Sequence, residues 1–172
     1  MKGYVMNADI VVRKASEEEI DDLMNIWLEK AMWLIANNMP MWDPSQFNRE
    51  TLKAKYRNPE YFVCRNESEI IGGFLLIEYD ERYWKGRIDE KAFYFHKFVV
   101  KSEYKAQGYS GHILEWVKHY AKETGKDFVR LDYNEERTYL MQMYTSHGFV
   151  RKGVVRNDDG DVLVIAEHAI EK

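Results

Sequence analysis

Apolar and polar positions along this chain change period repeatedly, and each change marks an element. Ile10 to Val12 is a short β-branched strand. Ser16, with Glu19 three residues on, forms a capping-box pattern with extra acid in the first turn. Ile20, Leu23, Met24, Trp27, Leu28 and Ala31 then recur at helical spacing and give one long apolar face. Asn37-Asn38-Met39-Pro40 breaks that pattern, Trp42-Asp43-Pro44 continues the loop, and a shorter helix over 46–57 ends before Pro59. Residues 61–65 and 70–79 read as the strands of a hairpin, joined by the polar turn Asn66 to Glu69. A charged connection over 80–91 leads into 92–100, apolar on both faces except at His96 and Lys97, as expected of a central strand.

The second half alternates elements. A helix after Gly108 uses Ile113, Leu114, Val117, Tyr120 and Ala121 and stops at Gly125. Residues 127–133 form the next strand, so strand, helix and strand make a parallel βαβ unit. A helix over 138–146 ends at Gly148, and strands at 149–155 and 162–168 flank the turn Asn157-Asp158-Asp159-Gly160. The order β α α β β β α β α β β predicts an α/β protein with a mixed, mostly antiparallel sheet, a parallel βαβ core and helices on both faces.

Composition narrows the classes. At 172 residues the chain is expected to be one domain, residues 1–172. It is 45% hydrophobic and 31% charged with a net charge of −4, which disfavours nucleic-acid partners because phosphate backbones demand a basic face. No segment approaches the roughly 20 apolar residues of a membrane span. The N-terminal residues lack a signal-peptide pattern, and Cys64 is a lone cysteine, so a reduced, cytoplasmic protein is expected. The 15% aromatic content serves either a thick core or an aromatic-lined ligand cleft.

Most of the chemical signal lies in residues 98–111, FVVKSEYKAQGYSG. A strand end at Phe98, Val99 and Val100 passes through a polar turn to Gly108, and a helix starts just after it. Unpaired backbone N–H groups converge at such a helix start, and the helix dipole favours negative charge there. The missing Cβ at Gly108 lets an oxygen approach. The turn lacks the Lys-Ser/Thr pair of a P-loop and the GxGxxG of a dinucleotide fold. His112 stands where a GxSxG nucleophile elbow needs its last glycine.

Tyr104-Lys105-Ala106-Gln107-Gly108-Tyr109-Ser110 resembles the Q/R-x-x-G-x-G/A pyrophosphate loop of the GNAT superfamily of acyl-CoA-dependent N-acetyltransferases. Phe98-Val99-Val100 sits where that family has its L-x-V strand end. Tyr144-Thr145-Ser146-His147-Gly148-Phe149 resembles its Y-x-x-x-G-F signature, and the element order is similar over nearly the whole chain. Lys105 replaces the usual Arg or Gln and Ser110 the second small residue, both retaining charge or size. Arg137 stands where the family often has Asn, seven residues before the tyrosine, with Asn134 three residues earlier.

The resemblance implies acetyl transfer from acetyl-CoA to a primary amine, with no metal and with the enzyme a monomer or homodimer. Backbone groups of Phe98, Val99 and Val100 would pair with the pantetheine arm as an added strand, and an N–H there would stabilise the developing oxyanion. Lys105, Ala106, Gln107, Gly108, Tyr109, Ser110 and Gly111 would hold the pyrophosphate, with Arg137 at the cofactor. Tyr144 is the implied general acid in the context of Gly148-Phe149; from its spacing alone it reads as a core aromatic beside Leu140 and Met143. Asp132 falls where some members place a base, and its alternative is a strand-end acid pairing with Arg130 or Arg137. Glu78 and Asp80 are further base or acceptor-cleft candidates, and His96 is either a base or a satisfied core histidine. Trp33, Met39, Met41 and Trp42 either line an acceptor pocket or pack under a loop. His112 and His119, seven apart with no third ligand, do not suggest a metal. A GNAT-fold acyl-CoA-binding module without efficient turnover is the alternative function.

Overall fold

A computed structural model describes residues 5–7, 9–87 and 90–172. The strands are β1 (Val5–Asn7), β2 (Ile10–Lys14), β3 (Glu60–Arg65), β4 (Ile70–Ile77), β5 (Ala92–Val100), β6 (Phe128–Asn134), β7 (Val150–Arg156) and β8 (Val162–Ala169). They follow one another as β1-β2-β3-β4-β5-β6-β8-β7 in a sheet. The helices are α1 (Glu17–Ala36), α2 (Arg49–Lys55), α3 (Tyr109–Glu123) and α4 (Thr138–Ser146). The fold is mixed α/β, as the alternation of periods predicts. The chain forms two compact units, residues 1–76 with 97–110, and residues 77–96 with 111–172.

In the first unit β1 to β4 pair antiparallel, with Val12 opposite Cys64 and Phe62 opposite Phe74. Ser16 caps α1: its hydroxyl accepts from the Glu19 N–H, and the Glu19 carboxylate accepts from the Ser16 N–H at 3.0 Å. The carboxylate is also gripped by Arg13 at 2.6 Å and Arg65 at 2.9 Å, which fixes the first turn of α1 to β2 and β3. Ile20, Leu23, Met24, Trp27 and Ala31 form the buried face as expected, but Leu28, assigned to that face by spacing, is 38% exposed. Gly73 of β4 admits Leu23: a Cβ there would meet its methyl at 2.6 Å. The helix expected over 46–57 is instead a 3-10 turn at Pro44–Gln46 followed by α2. Asn48 interrupts it with an extended backbone, its side chain accepting from the Thr51 N–H at 2.8 Å.

In the second unit β5 pairs parallel with β6 from Ala92↔Phe128 to Tyr94↔Arg130, and β8 pairs antiparallel with both β6 and β7. Its aromatic core stacks Phe93 on Tyr120 at 5.3 Å and Trp116 on Tyr120 at 5.0 Å. Arg130 of β6 is fully buried against Glu167 of β8, Tyr94 of β5 and the face of Trp84. Gly125 and Gly148, with φ of 75° and 84°, end α3 and α4 in the left-handed conformation that glycine adopts without cost. Among the described residues no helix is long and apolar enough to cross a membrane.

Candidate active site

Within the first unit the turn from β5 to α3 is built by unusual backbone. Lys97 sits at φ +56°, which interrupts β5 with a left-handed residue, and its carbonyl accepts from the Trp27 indole N–H at 2.6 Å. The Lys97 ammonium lies 5.5 Å from the Trp42 ring and 5.9 Å from that of Phe47. Trp42 is therefore part of a cation–aromatic cluster with Lys97 and Phe47. After Val100 the Lys101 N–H returns to the Ile71 carbonyl at 2.8 Å, which ties the strand end to β4. Gly72 lies so near that a Cβ would stand 2.2 Å from the Val99 carbonyl oxygen.

Ser102–Tyr104 then make a 3-10 turn, Ala106 takes φ +62° and Gly108 φ +81°, and α3 begins at Tyr109. A non-glycine residue in this region costs about 1 kcal/mol or more, so Ala106 is held there by its surroundings. The Tyr104 hydroxyl anchors the turn, donating to Glu69 at 2.5 Å and accepting from Asn66 at 3.1 Å. The first N–H groups of a 15-residue helix thus open on a turn that carries exposed Lys105. Beside it lies a cavity of about 220 Å3 lined by Lys30, Trp33, Val99, Lys101 and Ser102 among others. Burial, with the nearby Lys105 charge, pulls the Lys30 ammonium below its usual range, and that ammonium lies 4.9 Å from the Trp33 ring. Neither tryptophan is a simple core residue: Trp33 is 40% exposed.

Gly111, expected at the pyrophosphate, has another structural reason to be glycine. A Cβ there would stand 2.9 Å from the His147 ring. The His147 ring also contacts Glu115 at 3.0 Å within the second unit.

The second unit brings together three residues from separate segments. His96 on β5 places Nε2 3.2 Å from Asp80 and Nδ1 3.6 Å from Asp132 of β6, with Asp80 and His96 buried and Asp132 16% exposed. Their donor atoms all lie within 4.8 Å of one another, a spacing that a shared proton or a small cation can bridge. Asp80 is fixed from the other side, accepting from the N–H groups of Arg82 and Tyr83. Burial pushes its carboxyl up, but the His96 contact and these N–H groups together outweigh it and leave the carboxyl below its usual range. Sequence reasoning named each residue but not the cluster. One signal could have found it: His96 and Asp132 each lie two residues beyond the Tyr94↔Arg130 pair, on the same alternating face.

Tyr144 is buried between Tyr133 at 5.5 Å and Phe149 at 5.8 Å. Burial, then the charge of Asp132, pushes its phenol well above the usual value, so it stays protonated at neutral pH. Arg130, one expected partner of Asp132, is occupied by Glu167 at 2.9 Å. Glu78 is exposed and ion-paired with Lys126. Arg137 stands at the N-cap of α4 without a side-chain cap bond, while the Asn134 side chain accepts from the Glu136 N–H at 2.9 Å.

This order of elements, with a left-handed turn feeding α3 and a buried tyrosine closing α4, is that of an acyltransferase of mixed α/β class. Residues 16–149 match the sequence model described as the acetyltransferase (GNAT) family, and the chain belongs to that family. Its fold is similar to a GNAT acetyltransferase from Listeria monocytogenes, with TM-score 0.74, 19% identity, and 93% of this chain and 94% of that one covered. It is also similar to a GNAT acetyltransferase from Elizabethkingia anophelis solved with acetyl-CoA bound (TM-score 0.68, 17% identity, 95% and 99% covered). A third is spermidine N-acetyltransferase from Vibrio cholerae in complex with CoA and spermine (TM-score 0.68, 16% identity, 95% and 97% covered). No curated protein matches the chain by sequence.

Proposed function

We propose that residues 1–172 work as a single N-acetyltransferase domain that moves an acetyl group from acetyl-CoA to a primary amine, with a small molecule as acceptor. The observation that carries this reading is the strand–turn–helix over 98–111, with Ala106 and Gly108 left-handed and the N–H groups of α3 opening on it. Those N–H groups, with Lys105, Gln107, Tyr109 and Ser110 around them, suit a pyrophosphate. Gly111 and Arg137 complete the proposed cofactor contacts. Backbone groups of Phe98, Val99 and Val100 would pair with the pantetheine arm, and an N–H there would stabilise charge on the thioester oxygen, worth roughly 3 kcal/mol.

Asp132 takes the proton from the attacking amine, and Tyr144 returns one to the departing thiolate. Burial keeps the phenol of Tyr144 protonated, so it has a proton to give, and transfer to the less basic thiolate requires the hydroxyl to be held close to sulfur. Trp33 and Trp42 in one unit, and Glu78 and Asp80 in the other, are the acceptor-side residues of this reading. Acetyl-CoA as co-substrate is supported by the relative solved with it. The second reading, an acyl-CoA-binding module, is favoured by one observation, Arg137 in place of the family's Asn.

Thiol release from acetyl-CoA, measured with a panel of primary amines, separates the two. Amine-dependent release supports the transferase. Calorimetric binding of acetyl-CoA without release under any amine supports the binding module.

A further inference from the structure

The cavity beside the end of β5 has two walls. One is the later part of α1, with Lys30 and Trp33; the other is the strand end and turn, with Val99, Lys101 and Ser102. At about 220 Å3 it has room for a phosphate group with several waters around it. Its charges are unevenly matched. The Lys101 ammonium pairs with Glu69 at 3.0 Å, and the same carboxylate accepts from Tyr104 at 2.5 Å, so that cation is neutralised within the fold. Among the described residues no carboxylate lies within ion-pair distance of Lys30, nor of Lys105 on the turn. Glu29 and Glu103 reach the same cavity, but both are exposed and pair with neither lysine. Glu29 directly precedes Lys30 on α1, and adjacent helical residues do not face each other.

Lys30 is nevertheless drawn in from solvent. Its ammonium rests 4.9 Å from the Trp33 ring, and burial, then the charge of Lys105, holds it below the usual lysine range. Two ammonium groups that repel one another, one of them partly desolvated, are unfavourable until an anion joins them. An anion gives each a partner, and the partial burial of Lys30 strengthens that attraction.

We propose that Lys30 and Lys105 together bind a phosphate group at this cavity, so that acetyl-CoA is held from α1 as well as from the turn before α3. A phosphate suits two cations better than a carboxylate does, because it brings more negative charge and more acceptor oxygens. The Ser102 hydroxyl on the same wall supplies a further donor. The coenzyme offers two sources of this chemistry, its pyrophosphate and its ribose 3′-phosphate. Acetyl-CoA as the ligand rests on the transferase reading above; the cation pair and its cavity do not.

Calorimetry on the full chain tests the site. Lys30→Gln should weaken CoA binding about tenfold, the scale of a lost charge-assisted contact, and Lys30→Arg should restore most of it. Pantetheine, which has no phosphate, should bind the wild type and Lys30→Gln equally. Lys122→Gln is the control for net charge: it removes a lysine in the last turn of α3, about 20 Å along the helix from its start, and should leave CoA affinity unchanged. Dephospho-CoA, lacking the 3′-phosphate, identifies the source. Equal binding by wild type and Lys30→Gln assigns the site to the 3′-phosphate, and a persisting tenfold difference assigns it to the pyrophosphate. Unchanged CoA affinity in Lys30→Gln overturns the proposal, as does an equal loss for pantetheine, which would make Lys30 a packing residue. A wild type that binds no CoA refutes the transferase reading instead, and inorganic pyrophosphate then decides. Binding that Lys30→Gln weakens upholds the phosphate site; no binding, or equal binding, overturns it.

Discussion

Arg130 offers the sharpest test of what holds β6, and with it Asp132, in place. Its side chain is fully buried. Nε donates to Glu167 at 2.9 Å, a second nitrogen donates to the Tyr94 hydroxyl at 3.0 Å, and Glu90 pairs with the remaining one. The guanidinium lies over Phe128 at 4.6 Å and Trp84 at 4.7 Å. Removing one partner of a buried pair costs about 3–5 kcal/mol because the other is left uncompensated. Here the lower end applies, since Arg87 at 3.7 Å and Lys152 at 3.4 Å remain near Glu167. Arg130→Met should therefore cost about 3 kcal/mol by urea unfolding with an unchanged m-value, and lower Tm by roughly 6–12 °C for a chain of this size. The double variant Arg130→Met with Glu167→Leu removes both charges and should recover to within about 1 kcal/mol of wild type. If the single change costs under about 1 kcal/mol, or the double change is no better than the single one, the pair does not carry the load assigned to it.

Three further outcomes follow from the same geometry. Gly108→Glu forces a side chain and a like charge onto a backbone at φ +81°, and should weaken acetyl-CoA binding at least tenfold by calorimetry; unchanged affinity in a folded variant would remove this turn from the cofactor site. Gly72→Ala puts a methyl 2.2 Å from the Val99 carbonyl oxygen and should cost about 1–3 kcal/mol in a denaturant titration, with a neutral result contradicting the tight β4–β5 approach. Glu19, held at about 2 first by its bond to Arg13 and then against burial by Ser16 and Arg65, sits below its unfolded value near 4.5. Its stabilisation is therefore present above pH 5 and lost as pH falls toward 2. Glu19→Gln should cost about 2 kcal/mol at pH 7 and make stability flatter than wild type between pH 5 and 2, whereas parallel curves would show that the contact carries no linkage.

Local signals carried most of the fold into the sequence. The Ser16-Glu19 box, the glycines at 125 and 148, and the polar turns at Asn66 and Asn157 all act through contacts within a few residues, so pattern and element coincide. The departures have tertiary or short-range causes. β1 has three residues, too few for a period, and Asn48 caps a helix in the middle of what looked like one. The left-handed Lys97 is stabilised by an indole seventy residues away and has no local signature. The turn at 98–111 was legible because its chemistry is contiguous. The Asp80–His96–Asp132 cluster was not, since it joins a loop and two strands, and only the parallel register relates two of its members. Tyr144 was legible from its motif, but its burial beside Tyr133 and its coupling to Asp132 were not.

In the proposed acetyl transfer, Tyr144 is the acid that protonates the departing thiolate. Tyr144→Phe keeps the ring between Tyr133 and Phe149 and removes only the hydroxyl, so it separates chemistry from packing. Amine-dependent thiol release in a single turnover, with acetyl-CoA affinity measured alongside, tests it directly. Transfer by the wild type and a rate about 10²-fold lower in the Phe variant, at nearly unchanged affinity, are expected. A Phe variant that turns over at the wild-type rate, with chemistry limiting, would contradict it.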